Sequence, residues 1–257
     1  MIKRFILLSA LVLVFPNSAS AVSLRTADGF EIGEQVSNYQ YEEPGVMNVK
    51  GVKLGLTGSV AMNIGDVLYV AGDLRFAFGD VDYTGSGTKR NNPDRLWDLR
   101  ATGGKDLAAG GTVLSPYAGL GYRTLLNDLR GTSSTGAIGY RRNSEYWYLP
   151  LGVTHRFKAG RFSRISTSLE YDYLIIGKQT TYWSDVGPGL SDQVNRQKSG
   201  YGLRLSSAYE IKNWSIGVFY YYWNIEESER NYLSSLVYVY EPKNNTSEYG
   251  VQVKYRF

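Results

Sequence analysis

Apolar and polar residues alternate one by one along three segments of the chain, at 51–64, 165–176 and 200–211. In the first of these segments one face carries Val52, Leu54, Leu56, Val60, Met62 and Ile64. A period of two residues is typical of a β-strand whose two faces meet different surroundings, whereas an amphipathic helix repeats about every 3.6 residues. The three segments therefore predict strands.

The same period predicts seven further strands. They cover 30–41, 67–78, 96–107, 113–125, 146–157, 214–223 and 247–257. Ten segments of this length indicate an all-β protein, a transmembrane antiparallel up-and-down β-barrel of about ten strands. Eight strands remain the alternative if two weak segments are not strands. Segment 30–41 is the weakest, because Glu34 falls on its apolar face, which a bulge or a different boundary would explain.

The connections between these strands alternate in length. Tight turns are predicted at 65–66, 109–111, 158–161 and 212–213, and longer, polar connections at 42–50, 80–95, 127–142, 182–198 and 226–246. Short periplasmic turns and longer outside loops are the rule for bacterial outer-membrane barrels. Both termini are therefore expected in the periplasm.

Aromatic residues mark the two expected edges of a membrane. Trp147 and Phe157 lie ten residues apart on the same face. Ten residues of a tilted strand climb about 25 Å, the height of the apolar band between two aromatic girdles. The 22 tyrosines of the chain suit such girdles.

The first 21 residues form an export signal rather than part of the fold. Lys3 and Arg4 precede an apolar stretch at 5–15, and Ala19-Ser20-Ala21 supplies a small-residue cleavage pattern. We therefore divide the chain into a signal peptide at 1–21 and a barrel domain at 22–257. The small excess of basic over acidic residues gives no reason to expect a nucleic-acid partner.

The C-terminal strand carries the most specific motif. Tyr249, Val251, Val253, Tyr255 and Phe257 share one face, and the last residue is aromatic. This strand resembles the C-terminal assembly signal of the outer-membrane β-barrel superfamily, the OmpA-like and OmpX-like small barrels that are loosely called the porin family. The resemblance implies the bacterial outer membrane as location. It also implies the barrel-assembly machinery, outer-membrane lipid and lipopolysaccharide as partners.

The predicted inward faces hold many charged residues. They are Asp73, Arg75, Asp98, Arg100, Arg123, Arg156, Glu170, Asp172 and Arg204. The lumen of a ten-stranded barrel is narrow, so these side chains are expected to pair across it and plug it, because an unpaired charge there is costly. A plugged barrel with a structural or surface-interaction role is the leading interpretation. The alternative is a narrow pore whose arginines favour anions.

An enzyme is the least favoured class. Ten strands resemble the omptin surface proteases, a likeness that implies a histidine and carboxylates at the outer rim. The single histidine, His155, is expected on the lipid side near the periplasmic end. The chain has no cysteine, so thiol chemistry is excluded. We expect no catalytic residue, cofactor or metal.

One predicted loop is unusually apolar. It contains Leu233, Leu236, Val237, Tyr238, Val239 and Tyr240. An exposed apolar patch can mark a partner site, which makes an adhesin with an unidentified extracellular ligand a further alternative. Otherwise these residues extend the flanking strands and pack on neighbouring loops.

Overall fold

The computed structural model describes residues 22–232 and 238–257. Within these residues ten long antiparallel strands form one sheet. They are β1 (Gly29–Glu43), β2 (Met47–Ile64), β3 (Leu68–Thr84), β4 (Thr88–Lys105), β6 (Thr112–Thr132), β7 (Ile138–Lys158), β8 (Ser163–Thr181), β10 (Gly200–Ile211), β11 (Trp214–Ile225) and β14 (Asn244–Arg256). The short elements are β5 (Leu107–Ala109), a 3₁₀ turn (Trp183–Asp185), β9 (Gln193–Gln197), β12 (Asn231–Tyr232) and β13 (Tyr238–Val239).

The sheet closes on itself because β14 pairs with β1 from Glu31–Arg256 to Glu42–Asn245. Each long strand also pairs with the next one along the chain, and β8 pairs with β10 past the short β9. The predicted ten-stranded barrel is confirmed, and the eight-strand alternative is wrong. No helix in the described part of the chain is long and apolar enough to cross a membrane.

The register of the strands fixes the dimensions of the barrel. A row of paired residues that starts at Phe157 on β7 passes through Tyr209, Val253 and Phe76, and returns to β7 at Glu145. The row returns twelve residues from its start (157 minus 145). Ten strands with this shift have a tilt of about 40° and a radius of about 10 Å.

Midway along the barrel the outer face is apolar, and most charged side chains point inward. Leu54, Met62 and Ile216 point outward and are 56%, 61% and 57% exposed, whereas Lys53 and Asp172 point inward and are fully buried. This arrangement is the reverse of a water-soluble protein. It suits a sheet that is surrounded by lipid, where only a closed barrel satisfies every backbone group.

Two belts of contacting aromatic side chains surround the barrel. The terminal-end belt includes the pairs Phe30–Phe257 and Trp214–Tyr255, with ring centroids 5.9 and 5.0 Å apart. The loop-end belt includes Phe76–Trp97 at 4.3 Å, Tyr122–Trp147 at 4.9 Å and Tyr171–Tyr201 at 5.9 Å. The terminal end is the end of the barrel where residues 22–28 and Phe257 lie, and the loop end is the opposite one. The segments between the belts are the membrane-spanning part.

Three of the predicted long loops are in fact strands. The connections at the loop end between β1 and β2, β3 and β4, and β6 and β7 are only 44–46, 85–87 and 133–137. Above the loop-end belt the outward face becomes largely polar, whereas inward residues such as Tyr39, Val81 and Leu125 are apolar and buried. The pattern of apolar outward positions therefore ends in the sequence, while the ladder of backbone hydrogen bonds continues. We call this part (38–50, 80–95, 124–145 and 177–181) the loop-end extension. The other two connections, 182–199 and 226–243, remain long.

Glu34 is not accommodated by a bulge or a strand boundary. The register of β1 runs without interruption through Glu34, which pairs with Leu56 on one side and Val253 on the other. Its side chain is exposed on the outer face between Ile32 and Val36. The explanation offered by the sequence is therefore wrong, and a carboxyl group faces outward halfway along the row from Phe157 to Glu145.

Two inward-facing tyrosines pack flat against glycines of the neighbouring strand. A Cβ atom at Gly121 would lie 2.2 Å from the Tyr148 ring, and one at Gly152 would lie 2.4 Å from the Tyr117 ring. The lumen therefore needs glycine at both positions, because the rings occupy the space of a side chain.

We predict that Gly121→Ala displaces Tyr148 and destabilises the barrel by about 1–3 kcal/mol, the usual cost of overpacking. Urea unfolding in lipid vesicles, followed by tryptophan fluorescence, measures this change. Gly103→Ala is the matched control, because a Cβ there meets nothing closer than 3.8 Å. Equal stability of the two variants would contradict the prediction.

Candidate functional site

The centre of the lumen is crossed by a network of buried ion pairs around Arg204 on β10. Its Nε lies 2.6 Å from Asp172 Oδ2, and its Nη2 lies 2.7 Å from Asp98 Oδ2. The hydroxyl of Tyr148 donates to Asp98 Oδ1 at 2.5 Å and accepts from Arg204 Nη2 at 2.8 Å. These contacts join β4, β7, β8 and β10 through the interior of the barrel.

Glu170 extends this network toward the terminal end. Arg100 Nη1 lies 2.7 Å from both Glu170 oxygens, and Arg204 Nε lies 3.2 Å from Oε1. Arg100 also contacts Asp73 at 3.3 Å, and the hydroxyl of Tyr117 donates to Glu170 Oε2 at 2.8 Å. Six of the nine predicted lumen charges therefore form one connected set. They are Asp73, Asp98, Arg100, Glu170, Asp172 and Arg204.

The other three predicted charges also face the lumen but lie elsewhere. Arg75 on β3 makes two 2.9 Å hydrogen bonds to Glu248 on β14. The guanidinium of Arg123 lies 5.2 Å from the Trp223 ring centroid. Arg156 lies near the terminal end, 2.6 Å from Ser115 Oγ and 3.5 Å from Asp106.

A buried pair that the sequence reasoning did not single out lies closer to the loop end. Lys53 binds Asp94, and its ammonium lies 3.3 Å from the Tyr39 ring centroid. Asn127 donates to the other oxygen of Asp94 at 2.9 Å. The same two-residue period that identified Arg75 would have placed Lys53 and Glu248 inside the barrel. The two-residue period predicts which side chains face inward. It does not predict which cation pairs with which carboxylate, because that depends on the register between strands.

Aromatic and aliphatic side chains fill the lumen between these charges and the loop end. One cluster includes Tyr39, Tyr41, Leu96 and Leu125, all at most 5% exposed. A second cluster lies on the other wall and consists of Tyr146, Tyr148, Leu174, Trp223 and Ile225. The part of the lumen nearer the loop end therefore has a packed core like the interior of a soluble protein.

A polar cavity of about 260 Å³ lies between the central network and the terminal end. The segment at 22–28 crosses its mouth, where Thr26 donates to Asp106 at 2.7 and 2.9 Å. Arg164 donates to the carbonyl oxygens of Ser23 and Arg25 at 2.6 and 2.8 Å. The terminal end is thus open to solvent only as far as the central network.

The loop-end extension holds a third buried cluster, in which one arginine serves two carboxylates. Arg142 on β7 contacts both Glu43 on β1 and Glu241, which lies just before β14. Tyr41 donates to Glu43 Oε1 at 2.9 Å. Burial, opposed by Arg142 and assisted by Glu43, raises the pKa of Glu241 to about 7. This cluster attaches the long connection 226–243 to the loop end of the barrel.

Only part of the predicted apolar surface loop lies within the described residues. Leu233, Leu236 and Val237 lie outside them. Tyr238 and Val239 form β13, which pairs with β12 through Tyr232–Tyr238 and Asn231–Val239. Tyr238 and Tyr240 are 41% and 43% exposed, and Arg230 lies over the Tyr238 ring at 4.7 Å.

His155 lies on the outer face near the terminal end of β7. Its ring centroid is 5.5 Å from that of Phe157, and its side chain is half-buried. Among the described residues, no group of three or more histidine, cysteine or carboxylate side chains is arranged to hold a metal ion.

An apolar exterior with two aromatic belts and a lumen filled with ion pairs define a transmembrane β-barrel. The chain belongs to the outer membrane protein beta-barrel domain family, whose model matches residues 7–194. This membership places the protein in the bacterial outer membrane. No curated protein matches the sequence.

Solved structures with a similar fold include several small outer-membrane barrels. The outer membrane protease OmpT from Escherichia coli is 12% identical, with a TM-score of 0.54 over 93% of this chain and 100% of that one. OprG from Pseudomonas aeruginosa is 12% identical, with a TM-score of 0.40 over 91% and 97%. Ail from Yersinia pestis is 10% identical, with a TM-score of 0.35 over 90% and 100%. At these identities the likeness to OmpT shows the fold alone.

We predict that Arg204→Ala destabilises the barrel by about 3–5 kcal/mol, because it leaves Asp98 and Asp172 buried without their cation. Urea unfolding in lipid vesicles measures the loss. Lys198→Ala is the control and should cost less than about 1 kcal/mol, because Lys198 and Glu229 form an exposed pair. A loss for Arg204→Ala as small as the control's would show that the central network is not structurally important.

We also predict that the connection 226–243 is held less firmly as the pH rises. The pKa of Glu241 is raised from 4.5 to about 7, so the folded state binds the additional proton between these values. The resulting stabilisation is complete below about pH 4.5 and is lost as the pH rises through about 7. Hydrogen exchange of 238–243, corrected for intrinsic rates, should show falling protection over this range.

Glu241→Gln should remove this pH dependence, whereas the control Glu229→Gln, which changes an exposed carboxylate on the same connection, should retain it. Protection that is independent of pH in the unmodified protein would contradict the prediction.

Proposed function

We propose that this protein is a non-conducting outer-membrane barrel that acts at the cell surface through its loop end. The observation that carries the proposal is the buried network around Arg204, which joins the walls of the lumen through Asp98, Asp172 and Tyr148. An ion would have to separate these paired charges to pass. The packed clusters around Tyr39 and Trp223 support a second obstruction nearer the loop end.

The loop end supports a surface role by its construction. The long connections 182–199 and 226–243 both lie there, and hydrogen bonds brace them. Asn195 donates to Ser228 Oγ at 3.1 Å, and Arg141 makes two 2.9 Å hydrogen bonds to Asp185. A braced connection loses less conformational entropy when a partner binds. The exposed rings of Tyr238 and Tyr240 offer such a partner an apolar contact, which favours adhesion as the form of this role.

In this proposal the loop end faces the outside of the cell and both termini lie in the periplasm, with the signal at 1–21 removed during export. The short turns at 65–67, 110–111, 159–162 and 212–213 agree with the sidedness of bacterial barrels. No enzymatic activity is proposed, since His155 lies at the terminal end and on the outer face.

Planar bilayer recordings test the closed lumen. We expect no steady single-channel conductance from the refolded protein over a wide voltage range. The double variant Tyr148→Ala with Trp223→Ala removes two inward-facing rings and should produce measurable ion flow. The matched double variant Tyr171→Ala with Tyr173→Ala removes two outward-facing rings and should stay silent. Steady anion conductance in the unmodified protein would favour the narrow pore instead.

Adhesion is tested with cells that display the protein. Binding to immobilised host and matrix ligands should fall when Tyr238 and Tyr240 are both replaced by Ser. It should persist when the outward-facing Tyr171 and Tyr173 are replaced in the same way. Unchanged heat-modifiable mobility on gels establishes that both variants are folded. If the unmodified protein does not increase binding to any ligand, the surface role is limited to envelope structure.

A further inference from the structure

The polar cavity between the central network and the terminal end, which we call the terminal-end cavity, is rich in basic side chains. In addition to two arginines of the central network, four basic residues line it. They are Arg156 on β7, Arg164 on β8, and Lys254 and Arg256 on β14. Because β7 and β14 are four strands apart around the barrel, these side chains approach the cavity from different walls.

Two of the four basic residues have carboxylate partners at this end of the cavity. Arg164 donates to Glu210 Oε2 through Nε at 2.9 Å and through Nη2 at 2.7 Å. Arg256 donates to Glu31 through Nε at 2.7 Å and also lies 3.4 Å from Glu210. Glu31 and Glu210 are therefore engaged by these two arginines.

The other two basic residues are not fully paired. The ammonium group of Lys254 makes no hydrogen bond or ion pair with any residue that the structure describes. Arg156 reaches one carboxylate, Asp106, at 3.5 Å, and that carboxylate already accepts hydrogen bonds from Thr26 and Ser115. The hydrogen bonds of Arg156 to described residues all use Nη1, so Nε and Nη2 keep donors for a ligand.

The terminal-end cavity has room for a small ligand and hydroxyl groups to contact it. Its volume of about 260 Å³ is several times the roughly 30 Å³ that one water molecule takes up. Ser168 and Ser206, which pair with each other on β8 and β10, line its wall. Hydroxyl groups both donate and accept hydrogen bonds, so this wall suits a ligand that is rich in oxygen atoms.

A phosphate group matches the two incompletely paired cations. It carries between one and two negative charges at neutral pH and three acceptor oxygens, so it can bind a cation from each wall at once, whereas a carboxylate has a single charge. A cavity with walls of low dielectric constant also attracts an anion more strongly than an open surface does.

We propose that the terminal-end cavity binds a small, water-soluble anion that carries a phosphate group, held between Lys254 and Arg156. The ligand enters from the terminal end and stops at the central network, which closes the other end of the cavity. The site is therefore a binding site rather than part of a pore. It is independent of the proposed surface role, which concerns the loop end.

Titration calorimetry tests the ligand class. Refolded protein in detergent micelles is titrated with inorganic phosphate, glycerol 3-phosphate or glycerol at constant ionic strength. We expect both phosphates to bind and glycerol not to bind. Tighter binding of glycerol 3-phosphate would identify a phosphate ester as the ligand, and otherwise the ligand is the free ion. Absence of binding for both phosphates would overturn the proposal.

Substitutions test the site. Lys254→Met removes a charge that the protein itself does not pair, so phosphate should bind about tenfold more weakly, as expected for loss of one charged hydrogen bond. Lys254→Arg keeps the charge and should still bind. Lys105→Met is the control, because it removes the same charge from the exposed outer face of β4 near the terminal end. Equal phosphate binding by Lys254→Met and Lys105→Met would overturn the proposal.

Urea unfolding in phosphate and in chloride of equal ionic strength gives a second measurement. Phosphate should stabilise the unmodified protein and Lys105→Met, because a ligand that binds only the folded state stabilises it, and should not stabilise Lys254→Met. If Lys254→Met does not fold, Arg156→Lys decides the test. This variant keeps the charge beside Asp106 but loses the planar set of donors, and should also bind phosphate more weakly.

Discussion

The structure depends on the requirement that no backbone hydrogen-bonding group be left without a partner in lipid. A sheet inside a bilayer has no water at its edges, so its first and last strands must pair with each other. In this chain β14 provides that closure by pairing with β1 along nearly its whole length. Ten strands that close with a shift of twelve residues give a radius of about 10 Å, and this radius determines how much the lumen can hold.

A lumen of this width is filled when side chains from opposite walls meet. Polar inward residues alternate with apolar outward residues along each strand. Polar groups that are removed from water need hydrogen-bond or charge partners. The chain meets both demands by pairing charges across the barrel, as between Arg75 and Glu248, which are 173 residues apart. Tyr148 and Tyr117 occupy the remaining space by lying against Gly121 and Gly152.

The alternation of the sequence was enough to predict ten strands and the inward orientation of all nine chosen charges, because a strand has a fixed period and the lipid face must be apolar. It was not enough to predict the loop-end extension, where lipid no longer imposes a pattern. It also could not assign partners, since Arg204 meets Asp98 only after ten strands have closed in one register. Glu34 interrupted the apolar face predicted for the first strand, and the structure shows it as an exposed carboxyl group on a regular part of β1.

The loop end is built unequally. From β1 to β7 the strands are joined there by connections of three to five residues, whereas the two connections that follow β8 and β11 are eighteen residues each, at 182–199 and 226–243. Antibodies raised against linear peptides would therefore find matching epitopes mainly on one side of the barrel. Recognition of the other side would require the assembled rim, because its epitopes are composed of residues from adjacent strands.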